Sequence, residues 1–402
     1  MLSRRSLLQS GAGAAVFVAS GTWAAKAANA PGVTDTEIKI GQTMPYSGPA
    51  SAYGVNGRTH SAYFKMINER GGVNGRKINL ISLDDGLQPP KTVEQTRRLI
   101  EQEQVAFIFG TLGTKSNAAI RSYLNDNKVP QLFITTGSPM FGDPQHYPWT
   151  IACLPNYQTE THIYARQILR TKPAAKICLL YQNDGYGKDY LIGIRAGLGD
   201  HATMIVEEVS YEASEPTVDS QIIQLQGSGA DTFLIAATPK FAAQAIRKAY
   251  DIGWMPERYM TYTASSITAT LKPAGLEKCK GLIAAAFSKD PTDPRWKDDS
   301  GCKEWAAFVA KYLTAADLID FNATVAFGVA AMLVQVLKQC GDNLSRENIM
   351  RQATNIEDLE LPMLLPGVRA NTSPDNFYPI RQMQLSRFNG ESWELFGDLV
   401  GG

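Results

Sequence analysis

The sequence predicts an α/β protein built as two doubly wound lobes, each around a parallel sheet. Three observations predict it. Short apolar stretches alternate with amphipathic ones, the alternation runs twice with a restart after Pro155, and about 370 residues follow an N-terminal leader, more than one core ordinarily supports. The strands read as short runs of Ile, Leu, Val and Phe with little polar alternation, the composition of strands covered by helices on both faces.

The leader comes first. Ser3-Arg4-Arg5-Ser6-Leu7-Leu8 sets adjacent arginines ahead of a short apolar stretch, Gly11 to Ala25, with small-residue cleavage sites at Ala25-Lys26-Ala27 or Ala28-Asn29-Ala30. Residues 1–30 therefore have the layout of a twin-arginine export signal, and the apolar run falls short of the roughly 20 residues that span a bilayer. Lys26 disfavours the alternative, a Sec signal with a chance arginine pair. By either route the mature chain is expected in the periplasm.

Strand Glu37–Thr43 opens the first lobe, followed by a loop of Pro, Ser and Gly and a helix from Val55 to Arg70. Gly71-Gly72-Val73-Asn74-Gly75 reads as a turn, because its glycines admit positive φ. Strand Lys77–Asp84, helix Pro90–Glu103, strand Val105–Phe109, helix Ser116–Asn127 and strand Gln131–Ile134 complete the run; the proline stands in a first helical turn, where its missing N–H costs nothing. In the second lobe, helix Thr159–Arg170 precedes strand Ile177–Tyr181, helix Lys188–Leu198, strand Met204–Val209, helix Val218–Gln226 and strand Thr232–Ala236. Helix Phe241–Ile252 and strands Arg258–Tyr262 and Leu282–Ala286 follow. A polar, Pro-rich connector over Phe287–Trp296 leads to helices near 302–313, 320–340 and 345–354, and Asn389-Gly390 marks a hairpin within Tyr378–Leu395. The apolar run Ala323–Val336 is interrupted by polar residues and reads as a core helix.

Composition excludes several functions. The chain holds 39 Lys+Arg against 39 Asp+Glu, and removing Arg4, Arg5 and Lys26 with the signal leaves 36 against 39. That balance, with no basic cluster, argues against nucleic acid. The five cysteines (Cys153, Cys178, Cys279, Cys302, Cys340) show no CxxC spacing; Cys302 and Cys340 flank one helical block and could pair, or all five could be buried as small apolar groups. Twin-arginine export often carries cofactor enzymes, but the loop after the first strand has no G-x-G-x-x-G. The chain also lacks a G-x-S-x-G elbow, its Gly-Thr-Lys-Ser is not a phosphate loop, and the four histidines lack ligand spacing. No enzyme, metal or cofactor is expected, and His60 reads as a helix residue rather than a catalytic base.

In open parallel sheets, ligands sit beyond the carboxyl ends of strands, where helix N-termini offer free N–H groups. The loops there read Met44–Gly54, Gly110-Thr111-Leu112-Gly113-Thr114-Lys115-Ser116 and Thr135-Thr136-Gly137-Ser138 in the first half. In the second half they read Asn183-Asp184-Gly185-Tyr186-Gly187, Ala237-Thr238-Pro239 and Thr261–Ser266. Hydroxyls and glycines interleaved with tyrosines suit a ligand with one anionic and one apolar end, although the same Ser and Thr residues would also serve as helix caps.

Met44–Pro49, Tyr53-Gly54, Ile67–Gly75, Asp84-Asp85 and Asp184–Gly187 together resemble the branched-chain amino acid-type binding proteins of ABC importers, over essentially the whole mature chain. The resemblance implies a type I periplasmic binding fold with a three-crossover hinge near Trp149–Pro155, Phe287–Pro294 and Pro366–Tyr378. Lobe 1 would then be residues 31–152 plus 288–365, and lobe 2 residues 153–287 plus 366–402. It implies a monomer that carries a small ligand to a permease and ATPase complex. By the same resemblance the carboxylate-binding position falls on Thr114, beside Leu112 and Gly113, a second anchoring loop on Thr136, Gly137 and Ser138, and aromatic walls on Tyr53 and Tyr186. Some members carry a disulfide whose positions fall here on Leu87 and Gly113, so both halves are absent.

Amino acid binders of this kind place an acid in the second-lobe loop to hold the ligand ammonium, where this chain reads Tyr262-Thr263-Ala264-Ser265; the other loop, Ala237-Thr238-Pro239, is also neutral. A buried ammonium without a carboxylate costs several kcal/mol, about as much as it takes to exclude such a ligand. The expected ligand is thus a small organic acid, aromatic and without an ammonium group, unless Asp184 supplies the missing charge. The alternatives are an amino acid or amide binder and a ligand-sensing receptor domain.

Overall fold

A computed structural model describes residues 29–401. The expected export signal falls almost wholly outside the described residues. The first sheet is formed by β1 (Glu37–Met44), β2 (Lys77–Asp84), β3 (Ile108–Phe109), β4 (Gln131–Ile134) and β5 (Thr150–Ala152), in the order β2-β1-β3-β4-β5 and parallel throughout. Its helices are α1 (Val55–Glu69), α2 (Pro89–Arg97) and α3 (Thr114–Asp126).

The chain then enters a second unit through α4 (Tyr157–Thr171). Here β6 (Ile177–Gln182), β7 (Ile205–Tyr211), β8 (Thr232–Ala236), β9 (Glu257–Met260) and β10 (Ile283–Ala286) run parallel, separated by α5 (Gly185–Leu198), α6 (Asp219–Gly227) and α7 (Pro239–Asp251). After helices Ser300–Tyr312, Phe321–Cys340 and Arg346–Ala353, the chain returns as β11 (Gln382–Phe388) and β12 (Trp393–Gly401). The full order is β12-β11-β10-β9-β8-β6-β7.

The strands are buried on both faces, as continuous apolar runs require; β8 is buried at every position. Helix Phe321–Cys340 is long and apolar enough to cross a membrane, yet it is mostly buried inside the protein. It lies on α1, where Phe327 meets Tyr63 edge-on at 5.1 Å. An all-round apolar surface fits that sandwiched position.

Four local expectations change. The second sheet is mixed, because β11 joins β10 antiparallel and a short hairpin can pair its strands only that way. β5 is three residues long and carries no periodic signal of its own. The strand expected through Tyr262 ends at Met260, and Tyr262–Ala264 instead form a single helical turn whose Tyr262 N–H donates to Glu160 at 2.7 Å. All five cysteines are buried and free, so the apolar reading holds and Cys302 does not pair with Cys340.

The passages between the sheets brace one another. Leu365 N–H donates to Phe287 O at 3.0 Å and Lys289 N–H to Met363 O at 2.8 Å. The Lys289 ammonium is held by Asp299 at 2.8 Å and by the Pro362 carbonyl at 3.0 Å. Gly301 packs so closely on Pro362 that an added Cβ would lie 1.9 Å from its carbonyl oxygen.

Candidate functional site

Both sheets present the carboxyl ends of their strands to a shared cavity of about 340 Å³. Each sheet reverses its strand order beside β1 and β6, where loops diverge to opposite faces and leave a crevice. The cavity lies against those loops. Of the residues expected from sequence, Tyr53, Leu112, Gly113, Thr114, Asp184, Tyr186, Thr238 and Thr263 line it.

Thr114 is the first residue of α3, after Gly113 at φ 95°, and its hydroxyl lies 2.9 Å from that of Thr136. It is not a helix cap, and neither is the Thr238 side chain at the start of α7. Lys115 stands exposed beside Thr114. The Tyr186 hydroxyl sits among Thr263 Oγ1 at 2.8 Å, Thr261 Oγ1 at 3.0 Å and the Ala237 carbonyl at 3.3 Å. Burial pushes the phenols of Tyr53 and Tyr186 well above their ordinary value, so both remain proton donors.

Two contacts cross the cleft. The Tyr53 hydroxyl, from the loop after β1, donates to the Thr263 carbonyl after β9 at 3.2 Å. The Thr114 methyl lies 3.1 Å from where a Cβ on Gly185 would stand, so the starts of α3 and α5 nearly touch.

Asp184 is the cap of α5. Its Oδ1 accepts the N–H groups of Tyr186 at 3.0 Å and Gly187 at 3.3 Å, and its Oδ2 accepts Gln182 Nε2 at 2.7 Å. Both oxygens therefore serve the loop itself.

The second anchoring loop lies behind the cavity wall. Thr136, Gly137 and Ser138 are buried but off the cavity wall, which takes Thr135 instead. After β4 the chain dives beneath the passage to α4: a Cβ on Gly137 would lie 2.1 Å from the Pro155 carbonyl, and the Ser138 carbonyl accepts the Tyr378 hydroxyl at 2.8 Å. Thr136 reaches the site through Thr114 and through Tyr157, whose hydroxyl lies 3.4 Å from its own.

Sequence reasoning missed Tyr157, Tyr262, Phe321, Asn322 and Gln182, all on the wall. Tyr157 stacks on Tyr190 at 4.8 Å and meets Tyr186 edge-on at 5.3 Å; Phe321 packs on Phe287 at 5.6 Å. The available signals were weak: Tyr157 follows the crossover Pro155-Asn156, and Asp320 before the 20-residue apolar helix is a cap that sets Phe321 and Asn322 in its first turn. The disulfide positions do meet, since a Cβ on Gly113 would lie 2.5 Å from Leu87 Cδ1. His60 is fully buried on α1, with Nδ1 2.8 Å from Gln42 Nε2; burial lowers it to about 3, so it is neutral and away from the cavity.

A family model described as periplasmic binding protein matches residues 37–392. Leu/Ile/Val-binding protein homolog 7 of Brucella abortus is 25% identical over 285 residues, 69% of this chain and 70% of that protein. The crystal structure of a branched chain amino acid ABC transporter from Thermus thermophilus with bound valine superposes with TM-score 0.83 at 15% identity, over 92% of this chain and 98% of that one. A fatty acid ABC transporter substrate-binding protein from Thermomonospora curvata superposes with TM-score 0.72 at 19% identity, over 93% and 95%. With the matched model spanning both sheets and the cavity enclosed between them, this chain belongs to the periplasmic binding protein family and has its type I fold.

Proposed function

We propose that the chain is the solute-capturing component of an ABC importer, and that its solute is a small aromatic carboxylic acid without an ammonium group. The observation that carries the ligand assignment is Asp184. Among the described residues it is the acid on the cavity wall, and both its oxygens are already engaged by Tyr186, Gly187 and Gln182. An ammonium group entering the cavity would have to share Asp184 with those three donors. The rings of Tyr53, Tyr157, Tyr186, Tyr262 and Phe321 suit a flat apolar body, and Thr114 with the first N–H groups of α3 suits a carboxylate. A neighbour on this fold is named for fatty acids, a class of acid that also lacks an ammonium group.

In this reading Leu112, Gly113, Thr238 and Thr263 complete the contacts, while Thr136 supports Thr114 from behind and Gly137 packs against Tyr157 and Tyr262 of the wall. The lobes, residues 31–152 with 288–365 and 153–287 with 366–402, bend about the three passages between them. A ligand that touches both sides stabilises the closed state, because only there are both sets of contacts made. The chain is exported through the twin-arginine route, acts as a monomer without catalysis or cofactor, and hands its solute to the permease and ATPase.

The name of the Brucella relative favours an amino acid instead. Thermal-shift and calorimetric titration decide between the two. Stabilisation by benzoate or cinnamate with none by leucine or valine is expected, and Thr114→Val should weaken the acid about tenfold. Stabilisation by leucine or valine alone sinks the reading.

A further inference from the structure

The polar side chains around the cavity are nearly all occupied by protein partners. Asn56 Nδ2 donates to the Tyr53 carbonyl at 2.8 Å, Gln182 has Asp184 at 2.7 Å and Tyr211 at 3.1 Å, and the hydroxyls of Thr114 and Thr263 have neighbours at 2.9 and 2.8 Å. Asn322 differs. It lines the cavity, it is 6% exposed, and among the described residues its Nδ2 is buried without a hydrogen-bond acceptor.

The backbone that carries this side chain is held in place. Asn322 sits in the first turn of helix Phe321–Cys340, its own N–H capped by Asp320 at 2.8 Å, with the Phe321 ring wedged on Phe287 at 5.6 Å. A buried amide without partners is costly, and fixed placement keeps it from finding one elsewhere. The amide N–H needs an acceptor, and a hydroxyl oxygen supplies one while keeping its own proton for the neighbouring amide oxygen.

We infer that Asn322 is a specificity-determining residue that reads a hydroxyl on the ligand, at a point separate from the carboxylate held near Thr114. The solute is then a hydroxylated acid, an inference that rests on the carboxylate reading above. Sites built to hydrogen-bond a hydroxyl reject the analogue lacking it, because the protein group is then left buried and unpaired.

The test is calorimetric titration of the signal-free protein and its Asn322→Leu and Asn322→Ala variants with paired ligands: benzoate against 3- and 4-hydroxybenzoate, and phenylalanine against tyrosine. The wild type should bind at least one hydroxybenzoate about tenfold more tightly than benzoate. In the variants that preference should collapse to within about twofold, whatever the change in affinity for benzoate itself. A hydroxyl preference confined to the amino acid pair keeps the role of Asn322 and overturns the ammonium-free reading. No hydroxyl preference in either series, or a preference that survives in both variants, overturns the role of Asn322.

Discussion

Glu160 supplies the sharpest test of the architecture behind the site. It lies on α4, is fully buried, and organises the tyrosines of the cavity wall. Tyr190 donates to its Oε2 at 2.6 Å, Tyr262 N–H to its Oε1 at 2.7 Å, and the Tyr164 hydroxyl lies 2.6 Å from Oε1. That hydroxyl is also 2.8 Å from the Met260 carbonyl and accepts Ala285 N–H at 2.8 Å, so its one proton cannot serve both oxygens. A proton on Glu160 completes the set, and burial does push this carboxyl up from 4.5 to about 8.

The pH dependence follows from proton counts. From 4.5 to about 8 the folded chain keeps a proton on Glu160 that the unfolded chain releases, so stability falls as pH rises. His60, lowered by burial from 6.5 to about 3, acts in the opposite sense below 6.5, where the unfolded chain takes up a proton that the folded chain refuses. Asp189, raised by burial to about 6, has finished titrating near that point. Glu160 therefore dominates from pH 6.5 to 8, and 1.5 units at about 1.4 kcal/mol per unit gives a loss of about 2 kcal/mol. Glu160→Gln keeps the volume and an acceptor for Tyr262 but cannot ionise, so its stability should stay level across the window. Urea denaturation followed by circular dichroism at pH 6.5 and 8.0 measures both proteins. Equal stability of the wild type at the two pH values, or the same loss in Glu160→Gln, refutes the neutral carboxyl.

Two further substitutions probe the cleft. Asp184→Ala removes a cap and strands Gln182 Nε2, and should lower the unfolding free energy by about 1 kcal/mol whatever the ligand; unchanged stability with selective loss of amino acid binding would instead make Asp184 an ammonium partner. Gly185→Val places methyls against Thr114, whose Cγ2 is 3.1 Å from the new Cβ, and should cost closure about 1–3 kcal/mol, about fivefold or more in affinity. Small-angle scattering should then show that saturating ligand no longer compacts the variant as it does the wild type.

Much of this architecture is legible from local chemistry. The starts and ends of α1, β2, α3 and β4 follow from hydrophobic period, proline and glycine, which act over a few residues and survive without knowledge of neighbours. The carboxyl-end rule then locates the loops of the site. It does not say which side chain within a loop turns inward. Thr136, Gly137 and Ser138 belong to the right loop, yet β4 pairs with a three-residue β5 that has no sequence signature, and this pairing carries the loop beneath Pro155.

The sequence by itself determined the two α/β units, the loops that face one another and the lack of an acid at Tyr262–Ser265, because each is a property of residues close along the chain. Only the tertiary structure decided who occupies whom. That Glu160 beneath the wall holds Tyr190 and Tyr262, and that the Asn322 Nδ2 on the wall finds no acceptor among the described residues, depend on groups brought together from as far as 102 residues apart. Hydrogen-bond capacity is a property of a side chain, but whether it is spent is a property of the packing around it.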